Sequence, residues 1–241
     1  MSLQIPILLQ NDQLVAVDKP PGIPVVPAPP PSEPAGSLRA RLESQLGCPL
    51  WVVHRLDRDA SGVVVFARTA GAHRDLCAAF ESRTVQKTYL ALTVGVPEPS
   101  AGEIEIPLHA ARRGKSRPAG PGEAGARAAF TSYSVLSQWR NGDSAVALVE
   151  AHPRTGRHHQ IRVHFRAIGT PLVGDALYGR RADTASLAEA PCQRLALHAS
   201  RLVLPAPGLD ARLVLEAPLA ADLSATLRWL DREWTAEAVH G

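Results

Sequence analysis

The densest cluster of polar residues in the sequence is the segment HRLDRDASG, residues 54–62. Its acid Asp57 has Arg55 and Arg58 as close neighbours, and adjacent positive charge favours the ionised form of a carboxylate near neutral pH. A carboxylate held in this form can act as a nucleophile or a base, but it can equally form a salt bridge or cap a turn. The spacing alone leaves both interpretations open.

A second polar segment is basic, because no acidic residue lies between Pro153 and Leu172. A helix opened by Thr155 and Gly156 and ended by Gly169 would separate apolar from basic residues. The apolar stripe would be Ile161, Phe165 and Ile168, and the basic face His158, Arg162 and Arg166, preceded by Arg154 and Arg157. The pattern predicts a helix that presents positive charge.

A metal site is the alternative interpretation of this segment, since it holds His158, His159 and His164. The pair of histidines around a glutamate that forms HExxH is absent. We therefore expect no metal.

Short apolar or alternating runs predict the strands that position these segments. They are residues 13–18, 51–54, 62–67, 87–95 and 144–151, with two more in RLALHASRLVLPAP and ARLVLEAP. In KTYLALTVG (87–95) the alternation places Lys87 and Tyr89 together on one face. Strands without regular helical crossovers predict an α+β fold with a largely antiparallel sheet.

Three further helices are predicted. Ser37 can cap a helix with leucines at 38, 42 and 46 that Gly47 ends. The others cover Ala72–Arg83, with Leu76, Ala79 and Phe80 inward, and Leu219–Ala238. Between these elements we expect an ordered proline-rich loop over residues 20–36 and a mobile basic loop over residues 110–127, which carries Arg112, Arg113, Lys115 and Arg117.

The overall composition narrows the class of protein. The 241 residues carry 26 Lys and Arg against 23 Asp and Glu, a net charge of +3 that is too small to demonstrate a polyanionic partner. Three cysteines without CxxC spacing favour a reducing compartment over a disulfide framework or a zinc knuckle. Since no secretory signal or 18-residue apolar run occurs, we expect a cytoplasmic protein without membrane contact, and a monomer by default.

The segment HRLDRDASG resembles the HRLDxxTSG signature of RluA-type pseudouridine synthases. Further segments resemble that family in the same order: VDKPPG (17–22), KTYLAL (87–92), TGRHHQIRVH (155–164), GTPLVGDALYG (169–179) and, more weakly, RLALHASRL (194–202). The resemblance spans roughly residues 12–220. Two positions depart from the family pattern, since Ala60 replaces a threonine and His158 stands where threonine is common.

The resemblance implies a single catalytic domain over residues 1–241 with the pseudouridine synthase fold, a mixed and largely antiparallel sheet in two lobes with flanking helices and a central RNA-binding cleft. It implies no cofactor, and RNA as the partner, tRNA or ribosomal RNA or both. Because few residues precede the first motif, we expect no S4 RNA-binding domain.

The resemblance also assigns roles to residues. Asp57 would be the catalytic aspartate, Tyr89 would stack on the target uracil, and Arg162 would pair with the carboxylate of Asp57. Arg55 would fill the space left by the extruded base. Arg58, Lys87, Arg157 and His159 are further expected contacts to RNA. The alternatives are a non-catalytic RNA-binding protein on the same scaffold and a glycosidase-like hydrolase, for which the motifs supply no second carboxylate.

Overall fold

The computed structural model describes residues 4–27, 36–111, 114–179, 186–208 and 211–239. In chain order the elements are β1 (Ile7–Gln10), β2 (Leu14–Lys19), α1 (Leu38–Leu46), β3 (Trp51–Val52), β4 (Ser61–Ala67), α2 (Ala70–Glu81), β5 (Gln86–Val94), β6 (Ala101–Glu105), β7 (Leu108–Ala111), β8 (Lys115–Pro118), β9 (Phe130–Asn141), β10 (Ser144–Pro153), α3 (Gln160–Ala167), β11 (Leu197–Pro205), β12 (Arg212–Glu216), α4 (Ala221–Glu233) and β13 (Thr235–Glu237). The chain divides into a first unit, Met1–Lys87 with His198–Ala220, and a second unit, Thr88–Leu197 with Ala221–Gly241.

Strand β4 forms the centre of the first unit, and all seven of its residues are buried. It pairs antiparallel with β2 and β3 and parallel with β11, while β1 extends the sheet beyond β2 and β12 beyond β11. Helix α2 packs its buried Leu76 and Ala79 against this sheet. Both faces of β4 are therefore covered, which explains why SGVVVFA is a continuous apolar run without alternation.

The start and end of α1 follow directly from its sequence. The Ser37 hydroxyl accepts a hydrogen bond from the Ala40 N–H at 3.3 Å, and Gly47 ends the helix with a φ of +66°. A serine cap and a left-handed glycine are the signals on which the prediction was based, and both are confirmed.

The second unit contains an antiparallel sheet in the order β5–β10–β9–β13, with β6 paired to another part of β9. Strands β7 and β8 form a separate two-stranded hairpin. Helix α4 packs against β9 and β13, and the Trp139 indole N–H donates to Asp231 at 2.9 Å. The fold is α+β with predominantly antiparallel pairing, as the sequence predicts.

Three of the predicted helices have different bounds, and α2 differs least, since it spans Ala70–Glu81 and not Ala72–Arg83. Helix α3 begins at Gln160 and not at Thr155, because His159 has a φ of +56° that no α-helix accommodates. Ile168 falls after the helix and is 37% exposed, so the prediction that it belongs to the apolar stripe is wrong. Helix α4, predicted to run to Ala238, ends at Glu233, and β13 follows it at Thr235–Glu237.

The segment 110–127, predicted as a loop throughout, contains the end of β7 and all of β8. Gly114, with a φ of +66°, lies between the two strands. A strand of four residues is too short to show a recognisable alternation of apolar and polar residues, so the sequence does not predict it. Arg112 and Arg113 in this segment, and residues 28–35 of the proline-rich segment, lie outside the described residues.

His54 fixes the start of the segment that leads into β4. Its Nε2 atom accepts a hydrogen bond from the Val65 N–H at 2.9 Å, and its ring stacks on Phe80 with 4.7 Å between ring centres. Burial, together with the nearby charge of Lys87, lowers the pKa of His54 to about 3. The imidazole is therefore neutral in the folded protein, with Nε2 as an acceptor.

Among the described residues, every helix is too short or too polar to cross a membrane.

We predict that Gly62→Ala strongly destabilises the first unit. Gly62 has a φ of +108°, and a Cβ atom there would lie 2.2 Å from the carbonyl oxygen of Ala199, its partner across β4 and β11. The melting temperature measures the effect, and Gly47→Ala is the matched control. Gly47 also has a positive φ but nothing within 4 Å of its Cβ position, so its loss is expected to be only about 1 kcal/mol. Equal losses in the two variants would contradict the steric argument.

A second prediction concerns the acid dependence of stability. As pH falls from 6.5 towards 3, unfolded His54 binds a proton that folded His54 does not, so this residue lowers the free energy of unfolding over that window. In His54→Gln that contribution is absent. Denaturant titrations should show the wild type more stable at neutral pH and the two proteins converging as pH approaches 3. His158→Gln, at an exposed ring, is the control, and parallel curves for His54→Gln and wild type would refute the prediction.

Candidate functional site

Asp57 lies in the irregular segment between β3 and β4 of the first unit. Leu56 and Ala60 on either side are buried, and Arg55 and Arg58 are exposed. Asp57 itself is half-buried, between these two environments. Two apolar anchors thus hold a short segment on which the carboxylate is partly accessible and its basic neighbours face solvent.

The backbone around Asp57 is held by Lys19 at the end of β2. The Lys19 side chain is 0% exposed, and its ammonium donates to the carbonyls of Pro20, Ile23 and Arg58 at 2.8–2.9 Å. The Gly22 N–H donates to the same Arg58 carbonyl at 2.9 Å, and the Arg58 Nε–H donates to the Gly22 carbonyl at 3.0 Å. A buried ammonium requires such oxygens, so Lys19 fixes the residue next to Asp57.

The C-terminal end of the segment is held by a buried serine–histidine contact. The Ser61 hydroxyl lies 3.0 Å from Nδ1 of His198, and Nε2 of His198 lies 3.4 Å from the Ala217 carbonyl. Since that carbonyl can only accept, the proton belongs on Nε2, and Ser61 donates to Nδ1. Ala60, where the resemblance predicts threonine, is buried, and its N–H donates to the Asp57 carbonyl at 3.3 Å.

Lys87 is the third predicted RNA contact in the first unit, after Arg55 and Arg58. It is half-buried, and burial followed by the nearby charge of Arg83 lowers the pKa of Lys87 to about 8. The side chain therefore still carries positive charge at neutral pH, but it loses this charge under mildly alkaline conditions.

Arg162, on α3 of the second unit, has a carboxylate partner that the sequence analysis did not assign. Its Nε and Nη2 atoms each donate to one oxygen of Asp175 at 2.8 Å, and both side chains are buried. The Tyr178 ring covers the guanidinium with 5.1 Å to the ring centre. The signal was available in GTPLVGDALYG, where a single acid follows a long basic segment and precedes an aromatic residue.

The turn that precedes α3 is organised by Gln160. Its Oε1 atom accepts from the Thr155 hydroxyl at 2.7 Å and from the Arg157 N–H at 3.0 Å, and its Nε2 group donates to the Phe130 carbonyl at 2.9 Å. His159 takes up the positive φ at the end of this turn. The prediction of a basic helical face at 158, 162 and 166 is therefore wrong, because residue 158 precedes the helix and Arg162 is buried.

The other residues with predicted roles in the second unit are only partly exposed. The Arg157 Nε–H donates to the Ala128 carbonyl at 3.0 Å, and Nδ1 of His159 lies 2.9 Å from the Tyr178 hydroxyl. The rings of His158 and His159 are stacked, 3.7 Å apart. Tyr89 is half-buried in β5, opposite Ala151 of β10.

The three histidines of this region do not converge. His164 is buried between the Thr131 hydroxyl and the Ile106 carbonyl, at 2.9 and 3.0 Å, and burial lowers its pKa. Within the described ranges no three His, Cys, Asp or Glu side chains are grouped so that they could hold a metal ion.

The structure thus groups the predicted residues by unit. Arg55, Asp57 and Arg58 share one segment of the first unit, to which Lys87 also belongs, while Tyr89, Arg157, His159 and Arg162 belong to the second. A pairing of Asp57 with Arg162 would join residues of different units and stays a prediction.

Comparison with known proteins identifies the family. Residues 13–167 match the sequence family described as RNA pseudouridylate synthase. The ribosomal large subunit pseudouridine synthase D of Nitrosomonas europaea is 36% identical over 94% of this chain and 65% of its own length. The protein of the same name from Pseudomonas aeruginosa is 34% identical over 96% of this chain and 74% of its own length.

A solved structure agrees with these sequence matches. Human RNA pseudouridylate synthase domain containing 4 superposes with a TM-score of 0.73 at 29% identity, covering 98% of this chain and 95% of that one. The family match includes Asp57, Tyr89 and Arg162, and it extends over more than half of the chain. On this evidence the chain belongs to the RNA pseudouridylate synthase family.

Proposed function

We propose that this chain isomerises specific uridines in structured RNA to pseudouridine, with Asp57 as the reacting carboxylate. One observation carries the assignment of the residue. Within the family match, Asp57 is a half-buried acid on a segment whose backbone is fixed by a buried lysine. Fixing a reacting group before the substrate binds lowers the entropic cost of reaching the transition state.

The reaction needs no external reactant. The bond from N1 of uracil to C1′ of the ribose breaks, the base rotates, and C5 joins C1′ while the proton leaves C5 and N1 gains one. In one route the Asp57 carboxylate attacks C1′, and in the other it removes a proton from C2′ to give a glycal. Both routes require the ionised carboxylate, and in both the RNA keeps its mass.

The remaining residues have roles in holding an extruded nucleotide. An enzyme that acts on a base must take it out of the stack, at a cost of a few kcal/mol. Tyr89 would stack on the extruded uracil, Arg55 would fill the space that it leaves, and Arg162 would orient the carboxylate of Asp57. Arg58, Lys87, Arg157 and His159 would contact the surrounding RNA, in the cleft that the resemblance implies.

The RNA target follows from the relatives and is part of the proposal. Two relatives are named for the large ribosomal subunit, which makes large-subunit ribosomal RNA the first substrate to test, with tRNA as the second. We further propose that the protein acts as a monomer in the cytoplasm without an obligate protein partner.

A non-catalytic RNA-binding protein is the alternative, and the presence of Asp57, Tyr89 and Arg162 argues against it, because binding alone does not require the acid.

Asp57→Ala tests the catalytic assignment. The variant should fold and bind RNA with close to wild-type affinity but form no pseudouridine, because the reacting oxygen is gone. Pseudouridine is quantified by nucleoside mass spectrometry after incubation with large-subunit ribosomal RNA or tRNA transcripts. The matched control is Asp59→Ala, an exposed acid two residues away, which should keep most of the activity. Wild-type rates in Asp57→Ala would refute the assignment, and release of free uracil by the wild type would indicate hydrolysis.

Tyr89 provides a separate test of base stacking. Stacking of a base on an aromatic ring contributes about 1–3 kcal/mol, so Tyr89→Ala should lose roughly 5- to 150-fold in the rate at limiting RNA. Tyr89→Phe keeps the ring and should retain binding of the extruded base. If the tyrosine hydroxyl also assists removal of the C5 proton, Tyr89→Phe will bind RNA normally and react slowly. A wild-type rate in Tyr89→Ala would exclude a stacking role.

A further inference from the structure

We propose that the turn Asp175–Tyr178 is a positioning element that sets the orientation of Arg162 for the reaction. The inference rests on the proposed function, since it assigns a role to residues that hold one of its groups. Neither Asp175 nor Tyr178 is suggested to touch the substrate; each acts through the guanidinium of Arg162.

Asp175 fixes the edge of the guanidinium. Both of its carboxylate oxygens accept from Arg162, and the side chains are only 7% and 1% exposed. A two-point contact between planar groups defines the plane as well as the position of the arginine. Because separating a buried ion pair leaves an uncompensated charge, turning the guanidinium away from Asp175 would be strongly unfavourable.

Tyr178 fixes the face of the same group. Its ring covers the guanidinium at 5.1 Å, and its hydroxyl is held by the Ser116 N–H at 2.8 Å and lies 2.9 Å from Nδ1 of His159. The contact to Ser116 ties the ring to the hairpin of β7 and β8, and the contact to His159 ties it to the start of α3. The arginine is therefore constrained both in its plane and perpendicular to it.

The turn has its position independently of Arg162. One oxygen of Asp175 also accepts from the backbone N–H groups of Leu177 and Tyr178, at 2.9 and 3.1 Å. The preceding Gly174 has a φ of +68°, and a Cβ atom there would lie 2.0 Å from the Arg194 carbonyl. Because the backbone fixes the carboxylate, Asp175 sets the position of the arginine and not the reverse.

The contacts with Asp175 use some of the N–H groups of the Arg162 guanidinium and orient the others. Arg162 has five N–H groups, and the contacts from Nε and Nη2 to Asp175 use two of them, so the turn sets the directions in which the rest of the guanidinium can donate. In the proposed function one acceptor for these groups is the carboxylate of Asp57. A misplacement of about 1 Å in a reacting arrangement can lower a rate about 100-fold, so the turn should affect the rate more than the affinity.

Asp175→Asn tests the proposal, because asparagine keeps the size of the side chain and one acceptor oxygen but loses the charge and the two-point contact. Affinity for a large-subunit ribosomal RNA transcript is measured separately from the rate of pseudouridine formation at saturating enzyme. We expect an RNA affinity close to wild type and a rate at least about tenfold lower. The matched control is Asp222→Asn, which breaks another two-point contact to an arginine in this unit, with Arg194 at 2.7 and 2.8 Å. It should lower the melting temperature and leave the rate near wild type.

A coupling experiment separates positioning from a general loss of structure. If Asp175 acts only through Arg162, the double variant Arg162→Lys with Asp175→Asn should react no more slowly than Arg162→Lys alone. Should Asp175→Asn not fold, Tyr178→Leu and Tyr178→Phe replace it. The leucine removes the ring from the guanidinium and should lower the rate, whereas phenylalanine keeps the ring and should retain most of it.

The outcomes distinguish this inference from the function on which it rests. A wild-type protein that forms pseudouridine, together with Asp175→Asn at the wild-type rate, would overturn the inference and leave the function standing. Additive losses in the double variant would overturn it as well. A wild-type protein that forms no pseudouridine in ribosomal RNA or tRNA transcripts would refute the proposed function, and the inference with it.

Discussion

Burial of positive charge next to fixed oxygen atoms is the constraint on which the candidate site depends. An ammonium removed from water is tolerated only where oxygens replace its hydration shell, and Lys19 receives three backbone carbonyls in this way. The carbonyls belong to two different segments, the loop after β2 and the segment that carries Asp57. The contacts that satisfy the Lys19 ammonium therefore also define the path of the backbone around Asp57, the half-buried acid of HRLDRDASG.

The second unit meets the same constraint with a side chain in place of the backbone. Arg162 is buried in a helix with no acidic residue nearby in sequence, and its partner Asp175 comes from a turn that follows the helix. Neither cation can move without exposing unsatisfied oxygens or leaving a charge without a partner. Rigid placement of polar groups in both units suits the proposed function, since catalysis by orientation depends on groups that do not rearrange.

The sequence predicted most elements of the fold because their signals are local. The serine cap and terminal glycine of α1, the apolar run of β4 and the alternation of β5 each depend on a few neighbouring residues, and the structure has all three. The start of α3 was missed because the positive φ of His159 accompanies contacts that Gln160 makes with residues 130 and 155, and these contacts form only in the folded chain. Short strands such as β8 were not predicted, because they are stabilised by pairing with another strand and not by a pattern in their own residues.

For the site, motif resemblance led to the proposal of Asp57 as the reacting acid but gave no indication of the residues that support its segment. The roles of Lys19 and Tyr178 depend on contacts between residues far apart in sequence, such as the 39 positions that separate Lys19 from Arg58 and the 62 that separate Ser116 from Tyr178. No periodicity or spacing encodes such a contact. A resemblance transfers the groups that react, whereas the groups that hold them become evident only from the folded chain.

The pairing of β4 with β11 also imposes an order on folding during synthesis. Ser61 and His198 are 137 positions apart, so the ribosome completes nearly all of the second unit before the strand that covers Gly62 exists. At ordinary elongation rates this delay is on the order of ten seconds. Until then the start of β4 has β2 as a neighbour on one edge only, and the nascent chain exposes the other, apolar edge of β4 to chaperones.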